Sequence, residues 1–190
     1  MKDHVILVND ANEPVGIAPK DAVHHADTPL HRGFSLFIFH KNGNVLLQQR
    51  SLTKKTFPGV WSNSCCGHPG SGESPVDAAK RRAKHELGLD LPDIKEIIPN
   101  YRYRAEMNGI VENEICPVLI GFTDHEPVIN PEEVETIRWM PWNEWVGETK
   151  KNPQGYSSWC VEETLLLEAN QLFQKAERHF SNDESLNEIS

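Results

Sequence analysis

The stretch from Trp61 to Leu89, WSNSCCGHPGSGESPVDAAKRRAKHELGL, gathers most of the residue types that do chemistry in this 190-residue chain. Cys65 and Cys66 offer thiols and His68 an imidazole, while the flexible loop from Gly67 to Gly72 can bring backbone N–H groups close to an anion or a metal. Further along, Arg82 and Glu86 are four apart, so on a helix one cation and one carboxylate project together. Two other segments add donors. Glu112 and Glu114 lie two apart in the strand-like run 110–120 and share a face with Cys116, Val118 and Ile120. Burying both in ionised form would cost on the order of several kcal/mol per charge without a compensating cation. For a lone glutamate pair a solvated strand end is therefore the better reading, by roughly two to one. The segment from Lys20 to Arg32 carries His24, His25 and His31, and adding these imidazoles to the carboxylates makes metal ligation the preferred reading. The residues alone do not choose between His24 and His25.

These groups need elements to hold them. Ser74 is a helix cap, Pro75 suits a first helical position, Asp77 sits where a capping-box carboxylate would reach back, and Gly88 is a stop. The spacing predicts a helix from Ser74 to Leu87, with Val76, Ala79, Ala83 and Leu87 at core positions and Ala78, Arg82 and Glu86 on an adjacent stripe. Short strands are predicted at His4 to Val8 and Val15 to Ala18, and Pro29 argues against a continuous helix through the histidines. Phe34 to Phe39, apolar on both faces, leads through Asn42-Gly43 into Val45 to Arg50, a hairpin of a central sheet. Arg50, Lys54 and Lys55 follow as a basic cluster, which in isolation reads as a solvated face.

Tyr101 to Arg104 alternates like a strand, Glu135 to Trp142 forms another, and Trp142 to Val146 starts a short helix. One long amphipathic helix is predicted from about Cys160 to Phe180. Trp159, just ahead of it, reads by itself as a core residue. Residues 1–180 are expected to form a single domain, and 181–190, acidic and aperiodic, a disordered tail.

The charge balance, 19 Lys and Arg against 28 Asp and Glu for a formal −9, argues against a nucleic-acid surface. No stretch resembles a secretory signal or is long enough to span a bilayer, so the expected home is the cytoplasm, with no membrane partner. There the four cysteines, Cys65, Cys66, Cys116 and Cys160, stay free thiols.

Gly67, five residues, Glu73, seven residues, Arg81, then Glu86, Gly88 and Leu89 resemble the Nudix box, whose loop and helix hold magnesium and a diphosphate. A Nudix hydrolase has glutamates where Arg82 and His85 stand here, and uses them to bind the metals that activate water. SNSCCGHP (62–69), YRYRA (101–105), GIVENEICPV (109–118) and YSSW (156–159), with HHADTPLHR (24–32) upstream, resemble a more specific family, the type I isopentenyl diphosphate isomerases. Cys65 doubles that family's cysteine, the turn at Met107 is one residue short, and the acidic tail is extra.

The resemblance implies an α/β Nudix-type fold, a central mixed sheet flanked by helices, acting on a small prenyl diphosphate. It implies His24, His31, His68, Glu112 and Glu114 as ligands of one divalent metal, a mixed N/O shell that suits manganese, iron or zinc. Glu86 is implied to hold magnesium, and Lys20, Arg50, Lys54 and Arg82 to grip the diphosphate. Cys66 and Glu114 are implied on opposite faces of the allylic unit, with Tyr103 hydrogen-bonded to Glu114 and the Trp159 ring against the cationic centre. A Nudix diphosphohydrolase is the alternative, and a non-catalytic metal-binding module a third reading that leaves Cys66, Tyr103 and Trp159 unexplained.

Overall fold

A computed structural model of the chain describes residues 4–180, so the tail expected at 181–190 lies outside the described residues. The elements run β1 (His4–Val8), β2 (Pro14–Pro19), α1 (Lys20–Val23), β3 (His31–Arg32), β4 (Phe34–His40), β5 (Asn44–Arg50), β6 (Trp61–Ser62), β7 (Cys65–Gly67) and α2 (Pro75–Leu87). They continue with β8 (Ile94–Ile98), β9 (Arg102–Met107), β10 (Ile110–Ile115), β11 (Val118–Thr123), β12 (Val134–Pro141), α3 (Trp142–Lys151), α4 (Ser158–Glu168) and α5 (Gln171–Phe180).

Instead of one central sheet there are two. A five-stranded sheet has the order β2-β1-β3-β10-β9, and a seven-stranded sheet the order β12-β5-β4-β11-β8, with β6 on β5 and β7 on β4. Two chain segments pass through both sheets side by side. β3 pairs in parallel with β10, with His31 opposite Glu114, and their continuations β4 and β11 are again parallel, with Ser35 opposite Val118. Between the pairs the Gly33 N–H donates to Ile115 O at 2.9 Å and the Ser35 N–H to Pro117 O at 3.0 Å, so the ladder bridges the change of sheet. The single strand expected over 110–120 is therefore broken at Cys116-Pro117. Proline has no N–H to give a ladder, and it falls where the chain leaves one sheet for the other.

The seven-stranded sheet is covered on both faces, as the unbroken apolar run in β4 requires. Phe34, Leu36 and Ile38 face α2 and pack with Ala78, Ala79, Ala83 and Leu87. Phe37 and Phe39 face the other way, into a cluster with Trp142, Trp145, Trp159, Leu167 and Phe173 of α3, α4 and α5. α3 continues to Lys151, beyond the short helix expected. The long helix expected from Cys160 to Phe180 is two helices. Asn170 ends the first and caps the second, its side-chain oxygen accepting from the N–H groups of Leu172 (2.9 Å) and Phe173 (3.2 Å). No described helix is long and apolar enough to cross a membrane.

α2 forms as its sequence predicts. The Ser74 hydroxyl accepts from the Asp77 N–H at 3.1 Å, and Asp77 accepts from that hydroxyl at 2.6 Å instead of reaching back to the backbone. Gly88 closes the helix at φ 66°, and its N–H donates to Lys84 O. A Cβ on Gly88 would sit 3.2 Å from both Cβ and O of Val128. Gly88→Ala should therefore lower unfolding free energy by about 1–2 kcal/mol, from the left-handed backbone alone or more with the Val128 contact. Urea denaturation measures it, and an unchanged midpoint would overturn the backbone strain assigned to this position.

Candidate active site

The crossing point of the two sheets brings the ligand-type residues together. His24 is the residue that ends α1; His31 lies on β3 directly beside Glu114 of β10; Glu112 is two residues earlier on the same face; and His68 follows β7, which pairs with β4 of the other sheet. One ligand atom from each of the five lies within 4.8 Å of every other. Glu112 and Glu114 are only 6% and 5% exposed, so the solvated strand end is excluded.

The imidazoles are oriented from behind. His24 Nδ1 is 3.2 Å from Lys20 O and His31 Nδ1 is 2.9 Å from Pro29 O. A carbonyl only accepts, so both Nδ1 atoms donate to it and both Nε2 atoms are turned inward, the orientation that metal ligation requires. His24 Nε2 lies 3.0 Å from Glu112 Oε2, yet the two are not aligned as a hydrogen bond and both atoms are buried without a partner. Donor atoms crowded around a common point, buried and unsatisfied, fit a divalent cation. His25, which the residues alone did not separate from His24, bonds instead to the turn at Asp27 through Nδ1.

The electrostatics agree. Burial would raise the Glu114 pKa, but bonds from His31 and His68 (Nε2 to Oε1, 3.0 Å) hold it well below the usual carboxylate range. Burial pushes His68 down, while for His31 the bond to Glu114 outweighs burial and raises it. A proton on His31 supplies part of the positive charge that a divalent ion would supply.

Gly33 is a site residue that sequence reasoning missed. A Cβ there would fall 1.9 Å from Glu114 Oε2, so only glycine lets the carboxylate lie over this backbone. Its signal was a lone glycine between two strand-like runs.

Beside this group a second set of predicted residues lines one pocket: Cys66, Tyr103 and Trp159 with Lys20, Arg50, Lys54 and Arg82, together with His68, Glu112 and Glu114. Trp159 is buried with its ring 5.3 Å from that of Tyr103 and 4.9 Å from that of Phe57, nearly perpendicular to the latter. Tyr103 faces Glu114 across the β9–β10 ladder, but the hydrogen bond implied between them is not formed here. Burial, then Glu114, raises the Tyr103 pKa well above normal, so its hydroxyl keeps its proton. Burial likewise pushes Cys66 up to about 12, which makes it a thiol at rest.

The cations are tied to one another through carboxylates. Arg82 donates from Nε to Glu86 Oε1 at 2.9 Å and approaches Glu133 Oε2 at 3.1 Å, and Lys54 pairs with the same Glu133 oxygen. Arg82 and Lys54 overcome burial to bring Glu133 down to about 2. A depressed carboxylate contributes its stability above the ordinary range and loses it as pH falls toward that value. Glu133 came from an acidic stretch that gave no positional signal. Arg50 holds the loop at Thr56 and Phe57, donating to Thr56 O from Nη2 at 2.9 Å and to Phe57 O from Nε at 3.2 Å.

Glu86 stands apart from the five ligands. Its Oε1 accepts from Arg82 and its Oε2 from Gln48 at 3.4 Å, so this lone carboxylate becomes a magnesium site only with oxygens from a bound diphosphate.

The family model of the NUDIX domain matches residues 29–160. Isopentenyl-diphosphate Delta-isomerase of Saccharopolyspora erythraea is 46% identical over 172 residues, 88% of this chain and 89% of its own length. The chain belongs to the isopentenyl-diphosphate Delta-isomerase family. A second member, from Paenarthrobacter aurescens, is 46% identical over 88% of this chain and 92% of its own, and one from Shigella boydii 42% identical over 93% and 98%. Among solved structures, DR0079 from Deinococcus radiodurans superposes with TM-score 0.62 at 20% identity, covering 79% of this chain and 90% of its own. A MutT protein from Methanosarcina mazei gives 0.59 at 17%, covering 79% and 96%. These last two establish the NUDIX fold alone.

Within this family fold the geometry at His24, His31 and His68 is directly testable. Replacing any one by Ala should lower bound transition metal and activity together, and Gly33→Ala should do the same by displacing Glu114. Full occupancy in all four variants by elemental analysis would remove the five-ligand assignment.

Proposed function

We propose that this pocket grips the diphosphate of isopentenyl diphosphate with Lys20, Arg50, Lys54 and Arg82 and moves its double bond to give dimethylallyl diphosphate, with Cys66 and Glu114 flanking the allylic unit. The observation that supports this most is that one pocket is lined by Cys66, Tyr103, Glu114 and Trp159 and also by all four cations. A hydrolase needs a carboxylate cluster on the helix, whereas α2 offers Glu86, already bonded to Arg82.

The chemistry sets the requirements. The substrate has an unactivated terminal alkene, so one proton must be added at C4 and another removed from C2. Addition develops tertiary carbocation character, which calls for a dry pocket, an acid, a base and an electron-rich surface that does not itself react. Cys66 rests as a thiol and Glu114 as a carboxylate, so the two groups start in opposite protonation states. The Trp159 face contributes about 2 kcal/mol when desolvated, roughly thirtyfold in rate, which assists the acid without replacing it. Tyr103, kept protonated and opposite Glu114 in the β9–β10 ladder, would donate to Glu114 when substrate is bound.

Two metals complete the reading. His24, His31, His68, Glu112 and Glu114 would hold manganese, iron or zinc, which fixes Glu114 and adjusts its basicity. Glu86 would hold magnesium through the diphosphate. A reacting free thiol fits a reducing cytoplasm.

Isomerisation in heavy water should place deuterium at the new methyl group and, through the reverse reaction, at C2. Cys66→Ala and Glu114→Gln should each lose about 10²-fold to 10⁴-fold, with metal retained in the first. Near wild-type incorporation by Cys66→Ala, and then by the double variant at Cys65 and Cys66, would remove the thiol from the mechanism. Glu86→Gln should weaken the magnesium dependence of turnover while the other metal stays bound; an unchanged dependence makes Glu86 only a partner of Arg82.

A further inference from the structure

The turn between β6 and β7 carries a buried amide that the mechanism above does not use. Asn63 stands three residues before Cys66, is completely buried, and spends all of its hydrogen-bonding capacity within the protein. Its Nδ2 donates to Leu36 O at 3.2 Å and to Cys65 O at 3.3 Å. Two carbonyls on that side fix which end of the amide is nitrogen, so Oδ1 is the end that meets Cys66 Sγ at 3.2 Å. An amide oxygen only accepts, and the thiol is therefore the donor. The second lone pair of Oδ1 accepts from the Ser62 hydroxyl at 2.8 Å. Ser35 Oγ, which also meets the sulfur, is farther off at 3.5 Å and is shared with Cys116 Sγ at 3.6 Å.

The bonding continues from Asn63 to the helix that holds Trp159. Ser62 has one hydroxyl proton and gives it to Asn63, so in its 2.9 Å contact with Ser157 it accepts and Ser157 donates. Ser62, Asn63 and Ser157 are all buried. Ser157 occupies the N-cap position of α4, where a serine oxygen ordinarily accepts from a backbone N–H of the first turn. Here it makes no such bond. Its hydroxyl is turned to Ser62 instead, and the helix begins without the side-chain cap that its sequence offers. A local rule broken by a buried group is the pattern expected where a site is being held in place. The same two segments are clamped from outside the relay. The Ser157 N–H donates to Trp61 O at 2.9 Å, and the Arg138 guanidinium lies 4.6 Å over the Trp61 ring while donating to the Tyr156 hydroxyl.

We propose that Asn63 is a positioning residue, the hub of a relay from Ser157 through Ser62 that fixes the Cys66 sulfur relative to the helix carrying Trp159. The relay ties together the two elements that supply the thiol and the indole to the pocket, β7 and α4. Its effect on turnover rests on Cys66 being a reacting group, as proposed above; its effect on the thiol itself does not.

Infrared spectroscopy of the S–H stretch in the metal-loaded protein tests the relay without turnover. The Cys66 band is the one lost in Cys66→Ala. It should rise in wavenumber in Asn63→Ala, where the thiol loses its acceptor, and fall in Ser62→Ala, where Oδ1 serves the sulfur alone. Ser157→Ala should move it the same way as Ser62→Ala but less, because it weakens the Ser62 bond without removing it. In steady-state assays Asn63→Ala should lower kcat about fivefold to tenfold, the size of one hydrogen bond, with KM and bound metal unchanged. Ser62→Ala and Ser157→Ala should each lower kcat about twofold to fivefold, and their double variant no more than the larger single loss, because both cut one relay. Ser157→Thr keeps the hydroxyl and should stay within about twofold of wild type. Ser157→Asp, an equal helix cap with no proton for Ser62, should be as impaired as Ser157→Ala. A band that stays in place in both Asn63→Ala and Ser62→Ala, additive losses in the double variant, or a fully active Ser157→Asp beside an impaired Ser157→Ala would each overturn the proposal. If the bands move as stated while kcat changes in none of the variants, the relay stands and the catalytic role of Cys66 falls. Should Asn63→Ala fail to fold, Ser62→Ala, Ser157→Ala and their double variant still decide.

Discussion

Two buried carboxylates on one strand face are the constraint that the active site answers. Glu112 and Glu114 continue the apolar side of β10, and leaving them ionised there costs on the order of several kcal/mol each unless positive charge lies close by. The fold brings imidazoles that could share a cation with them from three directions: His24 at the end of α1, His31 one strand away in register, and His68 from beyond β7. A metal bound by all five would also link the two sheets, because His68 follows β7 on the seven-stranded sheet while His31, Glu112 and Glu114 lie in the five-stranded one. The cost of burial is thus converted into a site, and Gly33 leaves the room for it.

The other end of the pocket solves the opposite problem. Lys54 and Arg82 are close enough to repel one another, and Glu133, paired with both, offsets that repulsion while Glu86 accepts from Arg82. Such pairing fixes the guanidinium before the ligand arrives, which reduces the ordering cost on binding. Tyr103 and Trp159 line the same pocket, and Phe57 packs against the Trp159 ring behind them.

Much of this was legible in the residues. α2 announced itself through Ser74, Pro75 and Gly88, and the two-residue period placed Glu112 and Glu114 on one face, because both signals are local. What the pattern could not supply was direction at a break. The run 110–120 reads as one strand, yet Pro117 sends it from one sheet into the other; the 160–180 pattern reads as one helix, yet Asn170 caps a new one. Within the site, the histidines were visible by type, but the choice of His24 over His25 depends on the Lys20 carbonyl behind one ring and the turn at Asp27 beside the other. Glu133 was hidden for a different reason. A glutamate in an acidic loop carries no mark of what it will face until the chain has folded.

Three buried or half-buried glutamates are shifted in opposite directions, and the difference lies in their neighbours. Glu133, between Arg82 and Lys54, is ionised to about pH 2. Glu114 is held ionised by His31 and His68 despite its burial. Glu163, equally buried but given only a hydroxyl and like charges for company, is pushed well above the usual range and keeps its proton. A reaction that adds a proton at one carbon and removes one from another needs such a gradient of protonation across a few ångströms.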